Sequence, residues 1–258
     1  MTIPERGRSA VWPSLATAAA ACLCLAWVLP AEASIIGFGN DGTGWRLNGG
    51  PTVSSDVVTL TTAATGQARS LFYTTKQDIT AFTVHFTYQM TGSSNPADAT
   101  VFVLQNDTRG VTALGTSGGN LGYNNVKPSA AIIISPNGSS RTAYASNGVV
   151  PGTYTSVSPV NIRGGDLINI TLTYNGTTLT ELLEDPTAGT SFTTSYTVDL
   201  PTVVGATTAY VGFTGATGAR YANQYLSNFS FEPTGSPEPA TLALLAAGGV
   251  GMMLRRRR

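Results

Sequence analysis

The sequence predicts an all-β fold, a sandwich or barrel of antiparallel strands. Three observations carry this. Segments of alternating apolar and polar residues recur along the chain, and Gly, Asn and Ser gather between them. Apolar spacing at the helical period is almost missing outside the two ends. Short strands separated by turn residues are the pattern of sandwiches and barrels rather than of parallel α/β sheets.

The first element is not part of that fold. Residues 1–33 read as a signal peptide: Arg6 and Arg8 form a basic start, residues 11–29 are apolar and Ala-rich, and Ala31-Glu32-Ala33 is a small-x-small cleavage site. The cut falls before Ser34, and export through the Sec machinery follows. The alternative is a lipoprotein-type cut before Cys22, where Ala19 stands in the place usually taken by Leu. Cys22 and Cys24 are the two cysteines of the chain, so the exported domain has no disulfide and no thiol chemistry.

Residues 34–234 form one domain, long enough to bury a core. Residues 57–62 alternate loosely. In "AFTVHFTYQM" (81–90), Phe82, Val84, Phe86 and Tyr88 alternate with Thr83, His85, Thr87 and Gln89, a half-buried strand. "ATVFVLQN" and "SAAIIIS" are continuous apolar runs, as expected of strands covered on both faces. "DLINITLTYNGTTLTELLED" reads as two strands flanking Asn175-Gly176, a pair that supplies positive φ for a type I′ turn. "TAYVGFTG" and "LSNFSFEP" close the domain.

The last element, residues 235–258, is again an address. Pro237-Glu238-Pro239 precedes fifteen almost wholly small or apolar residues (240–254) and four arginines. As a helix that stretch is about 22 Å long, short for a membrane span of roughly 20 residues. The arginines resist translocation and hold the C-terminus on the cytoplasmic side. This tripartite end resembles the PEP-CTERM sorting signal of Gram-negative bacteria. The resemblance implies a transient inner-membrane anchor, removal by an exosortase and release to the cell surface or extracellular matrix; a retained anchor is the alternative.

Charge excludes one class of partner. The chain has 14 basic and 14 acidic residues, but removal of both ends leaves 8 and 11, near −3. With no basic run, nucleic acid is not an expected partner. Catalysis finds little support. His85 is the sole histidine and lies mid-strand, facing away from Phe82 and Phe86. Glu181, Glu184 and Asp185 read as solvated charges at a strand end, not as the paired carboxylates of a glycanase. "SGGNLG" precedes no helix and so is no phosphate cradle.

Four stretches in order resemble the L-type, legume-lectin-like lectins: "WRLNGGPTVSSDVVTLT" with "ITAFTVHFTYQM"; "ADATVFVLQND"; "LGTSGGNLGY"; and "VDLPTVVGATTAYVGFTGATGARYANQYLSNFSF". The resemblance implies a concanavalin-like jelly-roll sandwich of two antiparallel sheets and a non-catalytic protein that binds a polysaccharide or other glycan. It places Asp98, after an often cis peptide from Ala97, as the acceptor of sugar hydroxyls. It places Gly118 and Gly119 on the loop whose backbone N–H reaches the sugar, and residues 215–219, with Gly215 and Ala216 as the binding residues, on a loop that tunes specificity. Tyr123 and Tyr221 are candidate rings, or packing residues. The departures from the family pattern concern its calcium and transition-metal site. Ile133 and Ser135 stand where Glu and Asp would ligate, and "NGSSRTAYASNG" holds no acid and no His. No metal or other cofactor is therefore expected, and Asn137 is a candidate to supply an amide near Asp98. A structural surface protein that keeps the fold without binding sugar is the alternative function.

Overall fold

A computed structural model describes residues 34–234. The signal peptide with Cys22 and Cys24, the Pro237-Glu238-Pro239 motif and the apolar stretch at 240–254 lie outside the described residues. Among the described residues, no helix is long and apolar enough to cross a membrane.

In chain order the strands are β1 (Ile35–Ile36), β2 (Trp45–Asn48), β3 (Thr52–Ser54), β4 (Val57–Thr61), β5 (Ala68–Tyr73), β6 (Gln77–Asp78), β7 (Phe82–Thr91), β8 (Ala99–Gln105), β9 (Ser129–Ser135), β10 (Arg141–Ser146), β11 (Thr155–Ser156), β12 (Ile168–Tyr174), β13 (Thr178–Asp185), β14 (Thr190–Thr197), β15 (Thr208–Ala216) and β16 (Asn223–Pro233). They build two antiparallel sheets. The first runs β14-β13-β12-β7-β16-β4-β3, with β1 on β16. The second runs β11-β10-β9-β8-β15-β5-β2, with β6 on β15. This is the expected all-β jelly-roll sandwich, and the sheet neighbours are mostly distant in sequence. Among the described residues helix is confined to single turns, α1 (Gly39–Gly42), α2 (Leu200–Val204) and the tighter 3-10 turns Gly110–Thr112 and Gly118–Asn120. Asp199 caps α2 by accepting from the Thr202 amide at 3.0 Å, and Gly205 ends it at φ +78°.

The main core lies between the sheets. Inward residues of β7 (Phe82, Val84, Phe86, Tyr88) meet those of β15 (Ala209, Val211, Phe213), as period-2 alternation requires. Phe213 packs edge-on against Phe86, Phe102 and Phe229 at centroid distances of 5.0–5.6 Å. A second apolar cluster covers the outer face of the second sheet: Val101 and Val103 of β8, Ala131 and Ile133 of β9, Phe72, Leu121, Tyr123 and Val126. It explains why β8 and β9 are apolar without interruption: every residue in both is buried.

Two sequence expectations are corrected here. The connection after Tyr174 is not a type I′ turn. Asn175 still pairs with Thr178, its N–H donating to the Thr178 carbonyl at 3.3 Å, so the loop is Gly176-Thr177, and of Asn175 and Gly176 only Gly176 takes positive φ, +99°. The Asn175 carboxamide instead accepts from the amides of Thr177 and Thr178. Nor are the β13 acids all solvated. Glu184 is exposed, but Glu181 and Asp185 are buried, Glu181 facing the space between the sheets. His85 is exposed on the outer face of the first sheet, with Nδ1 3.0 Å from the Thr171 hydroxyl, as alternation implies.

Candidate functional site

Asp98 sits at the start of β8, on the cis peptide from Ala97. Three neighbours fix its backbone and side chain. Its N–H donates to the Ala216 carbonyl at 2.9 Å, at the end of β15. Its carbonyl accepts the Ser135 hydroxyl at 3.0 Å, from the end of β9. Its Oδ1 accepts a long bond, 3.4 Å, from the Asn137 amide. Oδ2 is buried and has no hydrogen-bond partner. Asp98 as a whole is 7% exposed, and burial raises its carboxyl above the usual range.

Two glycine loops close around that oxygen. Gly118, at φ +65°, donates its N–H to the Thr217 carbonyl at 3.0 Å, tying the loops together. A Cβ on Gly218 would stand 3.1 Å from Asp98 Oδ2 and 3.2 Å from the Gly118 Cα, so a side chain there would fill the cradle. A Cβ on Gly119 would meet nothing within 4 Å, so the loop opens outward at that point. In the short helical turn Gly118–Asn120 the Gly118 amide is spent on Thr217, and the Gly119 amide has no carbonyl of the turn behind it to accept it.

The loop between β8 and β9 is held by one ion pair. Arg109 grips Asp107 through Nε at 2.7 Å and Nη2 at 2.8 Å, and also donates to the carbonyls of Leu114 and Asn125. The Lys127 amide adds a bond to Asp107 Oδ2 at 2.9 Å. The Arg109 hydrogen bonds, foremost, hold the Asp107 carboxyl down at about 2. The contribution is in place above the ordinary carboxylate range and is lost as pH falls through about 2. Arg109→Ala leaves the buried Asp107 partly unpaired and is expected to cost about 1–3 kcal/mol. Urea titration reads the loss, and a wild-type midpoint in Arg109→Ala would refute it.

The sequence-predicted residues divide. Asp98, Gly118, Gly119 and Asn137 come together. Gly215 and Ala216 do not lie on a loop: both are buried in β15, and a Cβ on Gly215 would strike the Leu60 side chain. Ala216 serves through its carbonyl, and the loop begins at Thr217 and Gly218. Tyr123 is packing, fully buried with its hydroxyl 2.8 Å from Ser129 Oγ. Tyr221 is 37% exposed beyond Gly218. The two metal positions do not fit a hard cation. Ile133 pairs with Val101 and Ala143 inside apolar surroundings, and the Ser135 hydroxyl is committed to Asp98. Among the described residues no three His, Cys, Asp or Glu side chains gather as a ligand set.

Sequence reasoning had Gly218 only as a member of the 215–219 loop, not as the residue beside Asp98, and it missed the pairing of Arg141, on β10, with Tyr154, just before β11. Arg141 stands opposite Ser135 in the β9–β10 register, with its guanidinium carbon 4.2 Å from the Tyr154 ring centroid. The only signal was an arginine in a segment notable for lacking acids.

A family model for the legume lectin domain matches residues 35–245, and a model for the PEP-CTERM protein-sorting motif matches residues 237–258. Among solved structures, the chain is similar to a lectin from Bauhinia forficata in complex with GalNAc, at 20% identity and TM-score 0.66, covering 78% of this chain and 98% of that one. Lectin I-B4 from Griffonia simplicifolia in its metal-free form matches at 18% identity and TM-score 0.67, covering 78% and 99%. Arcelin-5, a lectin-like defense protein from Phaseolus vulgaris, matches at 20% and 0.66, covering 78% and 97%. At these identities the likeness to solved structures carries the fold.

Proposed function

The chain belongs to the legume lectin domain family, and from that premise we propose that it is an exported, non-catalytic glycan-binding protein whose site needs no metal. Its C-terminal PEP-CTERM motif addresses it for sorting. An exosortase removes the tail after transient membrane insertion, leaving the domain at the cell surface or in extracellular polymer.

One observation carries the binding role: the buried, unpartnered Asp98 Oδ2 facing the cradle of Gly118, Gly119 and Gly218. A carboxylate in that state gains from accepting sugar hydroxyls, and backbone amides beside it complete recognition of a polyol. Metal independence is supported by the Ser135 hydroxyl, which holds the Asp98 carbonyl directly.

The test is isothermal titration of the full chain with the producing cell's extracellular polysaccharide, in calcium and in EDTA. Saturable binding of equal affinity in both buffers is expected. Loss in EDTA would sink metal independence. No binding in either buffer would favour the second reading, a structural surface protein on the same fold, which the apolar surroundings of Ile133 support.

A further inference from the structure

We propose that Arg141 and Tyr154 form an adjoining subsite that selects a carboxylate-bearing sugar, so that the glycan is a polyuronate or similar acidic polysaccharide. The proposal rests on the glycan-binding reading of Asp98. The register places the two sites side by side. Arg141 on β10 stands opposite Ser135 on β9, and the Ser135 hydroxyl donates to the Asp98 carbonyl just before β8, where Thr100 faces Ile134. Two strand spacings separate Asp98 from Arg141, roughly 10 Å between backbones. That is about the reach of two linked sugar rings.

Alternation fixes which way Arg141 points. Thr142 and Tyr144 turn inward, toward Glu181 and the main core, so Arg141 and Ala145 turn outward, on the side of the glycine loops. Tyr154 packs on the same outer cluster and carries the guanidinium 4.2 Å over its ring.

The guanidinium is held but not neutralised. Among the described residues no carboxylate lies within ion-pair distance of it, and its Nε is buried without a hydrogen-bond partner. A guanidinium stacked on an aromatic face keeps its N–H edge free, and that edge forks onto a planar carboxylate. Arg163, on the loop after β11, donates to the Gly138 carbonyl and adds a second positive charge beside the 137–140 turn. Asp98, roughly 10 Å away across two strand spacings, opposes an acidic ligand more weakly than a guanidinium in contact with the ligand favours it. Arg141 would act in contact.

The experiment compares a polyuronate with its carboxyl-reduced, neutral counterpart by titration against the full chain at low and high salt. Wild type is expected to prefer the polyuronate by about tenfold or more, the size of one charge-assisted fork. Arg141→Gln abolishes that preference while neutral-glycan affinity stays. Arg141→Lys keeps a point charge without the fork and retains part of it. Equal binding of both polymers by wild type, or equal loss of both in Arg141→Gln, overturns the subsite and leaves the Asp98 reading standing. No binding of either polymer by wild type overturns both.

Discussion

Asp98→Ala is expected to abolish glycan binding without destabilising the fold. A carboxylate accepting two sugar hydroxyls contributes about 1.5–3 kcal/mol for each charged hydrogen bond. Losing both lowers affinity by at least about 100-fold. The stability side runs the other way. Within the protein, Asp98 receives one long bond from Asn137, while Oδ2 has none and burial raises its pKa. A carboxyl raised in the fold stabilises fully below its unfolded value, and that contribution is lost as pH rises through the folded one. At pH 7 the charged form is therefore a cost that Ala removes. The thermal midpoint is expected to stay within about 2 °C of wild type or to rise. Binding itself fades as the wild-type solution is acidified through the raised pKa, because a protonated Asp98 donates where it must accept. A large fall in midpoint together with the loss of binding would instead make Asp98 a structural residue.

The two-sheet architecture was legible because a half-buried strand writes its inner face at every second residue. Phe82, Val84, Phe86 and Tyr88 state it without ambiguity, and all four are buried. The continuous apolar runs of β8 and β9 also announced cover on both faces, although not what supplied it. That cover is the loop cluster of Leu121, Tyr123 and Val126, which no local pattern connects to Ile133. The type I′ reading of Asn175-Gly176 failed because the ladder runs on through Asn175, which pairs with Thr178, so the turn falls one residue later on Gly176-Thr177 and the Asn175 side chain caps it.

The site was legible only in part, for a different reason. Asp98, the glycine pair and Asn137 follow from the family resemblance, and the fold brings them together. Ser135 was noted as a lost ligand, but its bond to the Asp98 carbonyl depends on where two strand ends meet, 37 residues apart. The 215–219 loop was begun two residues early, so Gly215 and Ala216 fall in the strand while Thr217 and Gly218 are on the loop. A strand running into a Gly-Ala-Thr-Gly segment shows no local mark where pairing stops, and β15 holds its ladder with β5 and β8 to Ala216.

Glu181→Gln is expected to stabilise the protein at alkaline pH and to leave it nearly unchanged in acid. The sequence hides this residue. In "TELLED" leucines fall on both faces of the strand, Leu182 outward and Leu183 inward, so alternation does not say which acid is buried. In the fold Glu181 is 0% exposed and faces β10 across the sandwich. Both its oxygens share the Thr142 hydroxyl at 2.8 and 2.9 Å, and the Tyr196 hydroxyl donates to Oε2 at 3.1 Å. The Tyr144 hydroxyl, from a ring 5.6 Å from that of Tyr196, is buried without a partner. Two neutral hydroxyls do not offset the loss of water around a carboxylate, and desolvation pushes Glu181 up to about 7 from an ordinary 4.5. The sign follows from linkage. Stability is fully present below pH 4.5, declines between 4.5 and 7, and above that is lower by about 3 kcal/mol. Gln keeps the shape and an acceptor for the hydroxyls but carries no charge. Thermal midpoints of the two proteins should agree near pH 4.5 and differ at pH 8 by roughly 6–10 °C, with the variant higher. Parallel pH profiles would refute the assignment, since no other described carboxylate is both this deeply buried and raised this far. The inner face at β10, β13 and β14 thus carries a polar network that a purely apolar core would not need, and its protonation sets the pH range in which the sandwich is most stable.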